Sequence, residues 1–500
     1  MTSDLENPFA DYGNIVFGSP FIGRQQSLRA IESRIVRPKE AGNLAIIGEP
    51  RIGKSSLIYQ AIIQRKDELA DRKILPIWIN LATYDEPSAF FRELVTSCQD
   101  EMEDLGWLTE PIERAASRAL EEQVSWNEGY GRIQRFFGKV RKICRVVFIL
   151  DEFDHARHLF KGNVAGFQGL RELSYRPEWR ITFVTASRRS IHDIEVQSGA
   201  ISTFDGIFQK HYLGMFAPED FQEYLQRLAS AGVSLANEAI ERIAFFCGRH
   251  PFLLDMLGYE MVELFRDNRD NQSVDVELAA QRIANSFLLD YYDSIVRLLQ
   301  EDDRLNKLIS ILFGPTVGVK QTDIDEFMQY GLIEPAPKGA EQIYVGFSEH
   351  FHNFLGLVER EQGIGDLWKQ TEKALRHLVA RTMEEEYGER WVSKLERSHP
   401  KLKPIFARCR EKQNQEAKWF GSRASQNLMD FASAADLFAI IFIKWESFKS
   451  IFGQDLEYWQ ERSAWLEKVA TSLAQNRDES LQEYDRKIAE GYCQEILSLF

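Results

Sequence analysis

Leu44-Ala45-Ile46-Ile47-Gly48-Glu49-Pro50-Arg51-Ile52-Gly53-Lys54-Ser55-Ser56-Leu57 is the stretch that decides how this 500-residue chain folds. The apolar run Leu44–Ile47 has the length and content of a strand buried on both faces. Gly48 to Ser55 satisfy G-x-x-x-x-G-K-[ST], the pattern of a phosphate-binding loop, and the residues from Ser56 onward read as a helix start. Glycines let backbone N–H groups curl round a phosphate, and a helix N-terminus adds positive potential at the same place. The pattern therefore predicts that Gly48, Glu49, Pro50, Arg51, Ile52, Gly53, Lys54, Ser55 and Ser56 hold a nucleotide. Lys54 is expected on the β- and γ-phosphates and the Ser55 hydroxyl on Mg²⁺.

Such a loop needs a carboxylate at the end of a neighbouring strand. The apolar run Val146–Leu150 leads directly into Asp151-Glu152. Asp151 is expected to join Ser55 on the metal, and Glu152 to polarise an attacking water as general base. Lys54, Asp151 and Glu152 are thus the candidate catalytic set. Acidic pairs after strands also cap helices; the phosphate loop is what singles this pair out. Ile181–Ser187 reads as a further strand with a polar C-terminal end, the edge at which open α/β sheets bind ligands. Ser187, or Thr185, is the candidate γ-phosphate sensor, with Arg188 and Arg189 behind it. Ordinary loop residues are the alternative.

Composition narrows the classes. A formal charge of −15 sets aside a generic duplex-DNA binder, whose footprint is basic, while leaving room for a local basic site. Five cysteines, odd in number and without paired spacing, suit a reducing cytoplasm. Met1–Glu6 lacks the features of a signal peptide, and the apolar run Leu437–Ile443 is too short to span a bilayer. A cytoplasmic protein with no membrane partner is expected. His155 and His158 follow Asp154 at ligand-like spacing, with too few further ligands nearby for a metal site other than Mg²⁺.

Six segments are expected: an approach segment, 1–40; a P-loop ATPase core of alternating strands and helices, 41–215; a helical lid, 216–290; a winged-helix domain, 291–360; a helical connector, 361–420; and a helical bundle, 421–500. The fold class is accordingly an α/β P-loop NTPase core, a parallel sheet flanked by helices, followed by lid, winged helix and C-terminal all-α bundle.

The entry motif Phe21-Ile22-Gly23-Arg24, the phosphate loop, the strand ending in Asp151-Glu152, the lid and the winged helix together resemble the STAND branch of AAA-type ATPases, over roughly residues 7–360. The resemblance implies ATP/ADP and Mg²⁺ as cofactors. It implies that Ile22 and Arg24 line the base, and that Pro251 in Gly248-Arg249-His250-Pro251 packs on the adenine. It offers His350 as an ADP-reading histidine, a packed histidine being the alternative. It also implies a switch: ADP holds lid and winged helix on the core, ATP releases them, and a homo-oligomer assembles. Bacterial and archaeal members often act in antiviral defence, which implies a phage-related trigger and offers a protein as its kind.

In the tail, Leu437, Ile440, Ile441, Trp445, Phe448 and Phe452 recur at helical spacing, as a bundle requires. The order of elements resembles HEPN ribonucleases, whose active members carry an Arg and a His a few residues apart. An imidazole near neutral pKa would move the protons of RNA cleavage. Ala470 and Gln475 stand at the corresponding positions here, followed by Asn476 and Arg477, and none of the nine histidines lies beyond His399. The resemblance thus implies an RNase site for an RNA substrate that has lost its pair, by natural decay or deliberate inactivation. Two rival readings are an origin-recognition-like ATPase binding DNA through its winged helix, and a nucleotide-gated scaffold. The acidic stretch Thr322-Asp323-Ile324-Asp325-Glu326-Phe327 argues against groove reading.

Overall fold

A computed structural model describes residues 6–39, 41–122, 125–200, 202–267, 274–314, 318–336, 344–420, 425–474 and 483–499. The chain forms two compact units, Met1–Ile295 with Asp325–His352, and Val296–Ile324 with Asn353–Phe500. The segment expected as a winged helix contributes residues to both.

In the first unit the apolar runs become a parallel sheet of β1 (Asn43–Ile47), β2 (Ile74–Asn80), β3 (Arg145–Asp151), β4 (Ile181–Ser187) and β5 (Phe208–Tyr212), in the order β2-β3-β4-β1-β5. Every residue of β1, β3 and β4 is buried, as strands covered on both faces must be, whereas the edge strand β5 is half-exposed. Alternation sorts the side chains. Ile46, Val147, Ile149 and Val184 pack with Leu57 and Ile58 of the helix Lys54–Ala61 on one face. Phe148 and Phe183 stack at 5.8 Å on the other face, and Phe204 continues that aromatic layer towards Phe167. β1 lies between β4 and β5, so its C-terminal end opens where the strand order reverses, the place where such sheets bind ligands. The register sets Ile47 beside Ser187 and Leu150 beside Thr185, gathering three strand ends at one edge.

This is the expected α/β P-loop core. Helices Pro218–Ser230, Asn237–Cys247, Pro251–Asp267 and Val276–Ile283 follow it, and a short antiparallel hairpin pairs β6 (Ile333–Pro335) with β7 (Tyr344–Gly346).

The second unit is helical. Its core gathers Leu375, Leu395, Phe406, Leu437, Phe448, Trp459 and Ile496. Ser433 and Asp436 form a reciprocal capping box that starts the helix Ala434–Ile443. Trp459 is 1% exposed, packs edge-on against Phe452 at 5.0 Å and donates its indole N–H to the Phe452 carbonyl. Ala470 falls within the helix Leu456–Ala474; Gln475, Asn476 and Arg477 lie outside the described residues. Among the described residues, no helix is long and apolar enough to cross a membrane.

Candidate functional site

The phosphate loop leaves β1 along the sheet. The Gly48 N–H donates to the Ser187 carbonyl at 3.1 Å, and the Leu213 N–H donates to the Ile47 carbonyl at 2.7 Å. A Cβ at Gly48 would sit 2.5 Å from the Leu213 oxygen, so only glycine fits. Gly53 turns the chain into the helix Lys54–Ala61 with φ 95°, a conformation that favours glycine. The Lys54 ammonium donates to the carbonyls of Gly48 (2.9 Å) and Glu49 (3.0 Å), tying the loop across its own mouth. One helical residue further, the Ser55 hydroxyl donates to Asp151 Oδ2 at 3.0 Å, and Asp151 also accepts the Glu152 N–H. Glu152 itself adopts a left-handed backbone (φ 51°), an uncommon state for a non-glycine residue and one found at working sites.

A cavity of about 480 Å³ opens over the loop, within the range of small-molecule sites. The loop residues Pro50 to Ser56, Asp151, Glu152, Asp154 and Ser187 form its floor, and Ile22, Arg24, Phe216, Pro251 and Phe252 enclose it from the segments before β1 and after β5. Gly13 to Val16 form another wall. That strap is fastened to the loop and its helix: Val16 N–H to Ser56 Oγ (3.0 Å), Gly18 N–H to Gln60 Oε1 (2.7 Å), and Arg51 to the Gly13 carbonyl (2.9 Å). Arg24 donates to the carbonyls of Gly214, Met215 and Ile52 and lies over the Phe216 ring at 4.7 Å. Its role is thus to join the entry segment, the chain after β5 and the phosphate loop.

Burial dominates the electrostatics. It lowers the Lys54 pKa against the opposing pull of Asp154, Glu49, Glu152 and Asp151. Burial raises Asp151, opposed by the Glu152 N–H, Ser55 and Lys54; burial and then Asp151 raise Glu152. On the helix Pro251–Asp267, burial pushes Asp255 up to about 7, countered by Arg227 and reinforced by Asp11. Hard carboxylate and hydroxyl oxygens at Ser55 and Asp151 are the donor set a divalent cation of the Mg²⁺ class takes. Glycines, a lysine and a helix N-terminus facing one cavity are what a polyphosphate takes.

Several partners carry no local sequence signal. Glu49, inside the loop, pairs with Arg188, and Asp154 accepts the N–H groups of Arg188 (2.5 Å) and Arg189 (3.0 Å). Tyr291 donates its hydroxyl to the Pro50 carbonyl at 3.0 Å and meets His250 Nε2 at 2.8 Å. Tyr330, just before β6, donates to the Arg188 carbonyl at 2.8 Å. The spacing Asp151-Glu152-x-Asp154 was the only signal in the sequence that could have marked Asp154.

Of the expected site residues, Gly48 and Glu49 shape the loop, while Ile22, Arg24, Pro50 to Ser56, Asp151, Glu152, Ser187 and Pro251 line one cavity. The Ser187 hydroxyl donates to the Arg189 carbonyl at 2.7 Å, and Thr185 is fully buried with an unbonded hydroxyl. His155 contacts the Tyr84 carbonyl at 3.1 Å, and no metal-holding cluster of His, Cys, Asp or Glu occurs among the described residues. His350 sits among Phe245, Phe246 and Tyr292, where burial and then Arg242 lower its pKa.

No family model and no curated protein matches the chain. Solved structures similar to it include the Walker-type ATPase PABY2304 of Pyrococcus abyssi, at 14% identity and TM-score 0.41, covering 67% of this chain and 96% of that one. The Aeropyrum pernix ORC1 protein, solved in complex with DNA, is 15% identical with TM-score 0.36, over 70% of this chain and 94% of that one. Cdc6p from Pyrobaculum aerophilum is 13% identical with TM-score 0.35, over 69% and 96%. Likeness at this level assigns neither activity nor ligand.

Proposed function

We propose that the chain is a nucleotide-switched, STAND-type P-loop ATPase using ATP/ADP and Mg²⁺. One observation carries the reading. Tyr291, in the helix Leu289–Glu301 that follows the expected lid, and Tyr330, just before β6, hydrogen-bond the Pro50 and Arg188 carbonyls, so elements beyond the sheet in sequence hold the backbone of the phosphate loop and of the β4 exit. A group that reshapes either backbone changes those contacts, and nucleotides that differ by one phosphate then bias two packings differently.

Lys54 and the loop N–H groups would hold the phosphates, and Ser55 with Asp151 would hold Mg²⁺, which supplies charge neutralisation. To reach the phosphates Lys54 would exchange the Gly48 and Glu49 carbonyls for phosphate oxygens. Glu152 would orient and deprotonate the attacking water, its raised pKa bringing it nearer the working range of a general base. In this reading hydrolysis resets the switch, the ATP form assembles into a homo-oligomer in the cytoplasm, and the trigger is a phage-related component. The output is the HEPN-like tail, silent towards RNA while Ala470 and Gln475 stand in place of Arg and His.

The test compares ATP- and ADP-binding and phosphate release in the wild type, Lys54→Ala and Glu152→Gln proteins. Loss of binding in the first variant and loss of release alone in the second supports the ATPase. Unchanged release in Glu152→Gln would leave a scaffold that binds nucleotide without cleaving it.

A further inference from the structure

A second cavity, of about 360 Å³, opens at the opposite edge of the same sheet, where Asn43, Arg145 and Ile181 begin β1, β3 and β4. Arg34, Lys39, Arg145 and Arg180 line it, and Tyr175, 57% exposed, stands at its rim. Arg145 is 3% exposed and donates to the carbonyls of Ile35 (2.8 Å) and Pro38 (3.2 Å). Arg72 donates to the Val36 carbonyl at 2.8 Å. The Ile35 and Val36 carbonyls end the helix Glu32–Val36 and the Pro38 carbonyl lies just beyond it; cations suit a helix C-terminus, which explains why two guanidinium groups converge there.

Carbonyl dipoles do not cancel the charge. Among the described residues, none of Arg34, Lys39, Arg72, Arg145 and Arg180 has a carboxylate within ion-pair distance. Burial, and then the like charges of Arg72 and Arg180, draw the Arg145 pKa down to about 10. Four of these cations line one small cavity, and no described carboxylate is ion-paired with them, in a chain of formal charge −15. One of them is also fitted with care: the Arg34 guanidinium lies so close over Gly42 that a Cβ there would sit 2.2 Å from its Nη2.

We propose that this cavity is a second anion site, separate from the phosphate loop, which takes the phosphate or diphosphate group of a small molecule. Guanidinium forks match phosphate oxygens, and their charge-assisted hydrogen bonds are the strong kind. The cavity lies at the small end of the range for small-molecule sites. A free phosphate compound and the phosphates of a nucleotide share this chemistry.

The test is calorimetric titration of the full-length protein with inorganic pyrophosphate, in the wild type and in a Lys54→Ala background that removes the loop's contribution. Saturable binding is expected to persist in Lys54→Ala and to weaken about tenfold when Arg34→Gln and Lys39→Gln are added. Gly42→Ala, which displaces only the end of a flexible side chain, is expected to weaken binding with an unchanged melting temperature. Competition by AMP in the Lys54→Ala background would mark a nucleotide as the source of the phosphate; binding of pyrophosphate without AMP competition would mark a free phosphate compound. Either result requires the site. No saturable binding in Lys54→Ala, or binding there that the Arg34, Lys39 and Gly42 variants leave unchanged, overturns the proposal.

Discussion

Glu49, inside the phosphate loop, and Arg188, the residue after β4, form an ion pair at 3.2 Å with side chains only 2% and 6% exposed. Removing one charge of a buried pair costs more than the pair contributes, because the remaining ion keeps its desolvation penalty. Glu49→Gln is therefore expected to lower unfolding stability by about 3 kcal/mol, and Glu49→Leu combined with Arg188→Met to recover much of that loss. Denaturant titration of the four proteins checks this. A loss below about 0.5 kcal/mol in Glu49→Gln would mean that the pair is screened as at a surface.

Lys54→Ala removes the ammonium that closes the loop on Gly48 and Glu49. Nucleotide affinity, read by fluorescence titration, is expected to fall at least about tenfold, the loss of one charge-assisted contact to phosphate. Glu152→Gln keeps the shape of the side chain and removes the base. Phosphate release is expected to fall by about 10²–10⁴-fold with nucleotide affinity retained.

Asp255 gives stability a pH dependence of defined sign. Its folded pKa of about 7 lies above the ordinary aspartate value of 3.8. Between those values the folded state holds a proton that the unfolded state has released, so stability falls as pH rises through that window. Asp255→Asn is expected to flatten this slope and to be the more stable protein at pH 8. Thermal melts of both proteins from pH 4 to pH 8 decide it, and parallel curves would remove Asp255 as the cause.

Ala470→Arg combined with Gln475→His tests the tail. With the pair restored, the ATP-bound protein is expected to cut single-stranded RNA in the absence of metal, and each single reversion to remain inactive. A folded double revertant that leaves RNA intact ends the ribonuclease reading of this segment.

The core was legible because two signals coincide at one place. A buried parallel strand reads as an unbroken apolar run, and the loop after β1 has a motif of fixed spacing. Ile22, Arg24 and Pro251 came through resemblance, and all three border the same cavity. The unread part consists of contacts between residues far apart in the chain. Tyr291 and Pro50 are 241 positions apart, and Tyr330 and Arg188 are 142. In the sequence both tyrosines look like ordinary apolar-face residues of amphipathic helices. The strap at Gly13–Val16 is fastened through the Val16 N–H and the Gly13 carbonyl, and such backbone contacts leave no side-chain pattern. Asp255 reads as a polar residue on a helix until packing takes water from it. The basic cluster is assembled from positions 34, 39, 72, 145 and 180, so no window of sequence contains it.

The switch itself is tested most directly by hydrogen–deuterium exchange of the Glu152→Gln protein, saturated in turn with ADP and with ATP. Peptides covering Pro251–Asp267, Tyr291 and Tyr330 are expected to exchange more slowly in ADP than in ATP, while β1, β3 and β4 stay equally protected. Identical protection of those peptides in the two nucleotides would contradict the account: the loop would then bind its ligand without telling the rest of the chain which one it holds.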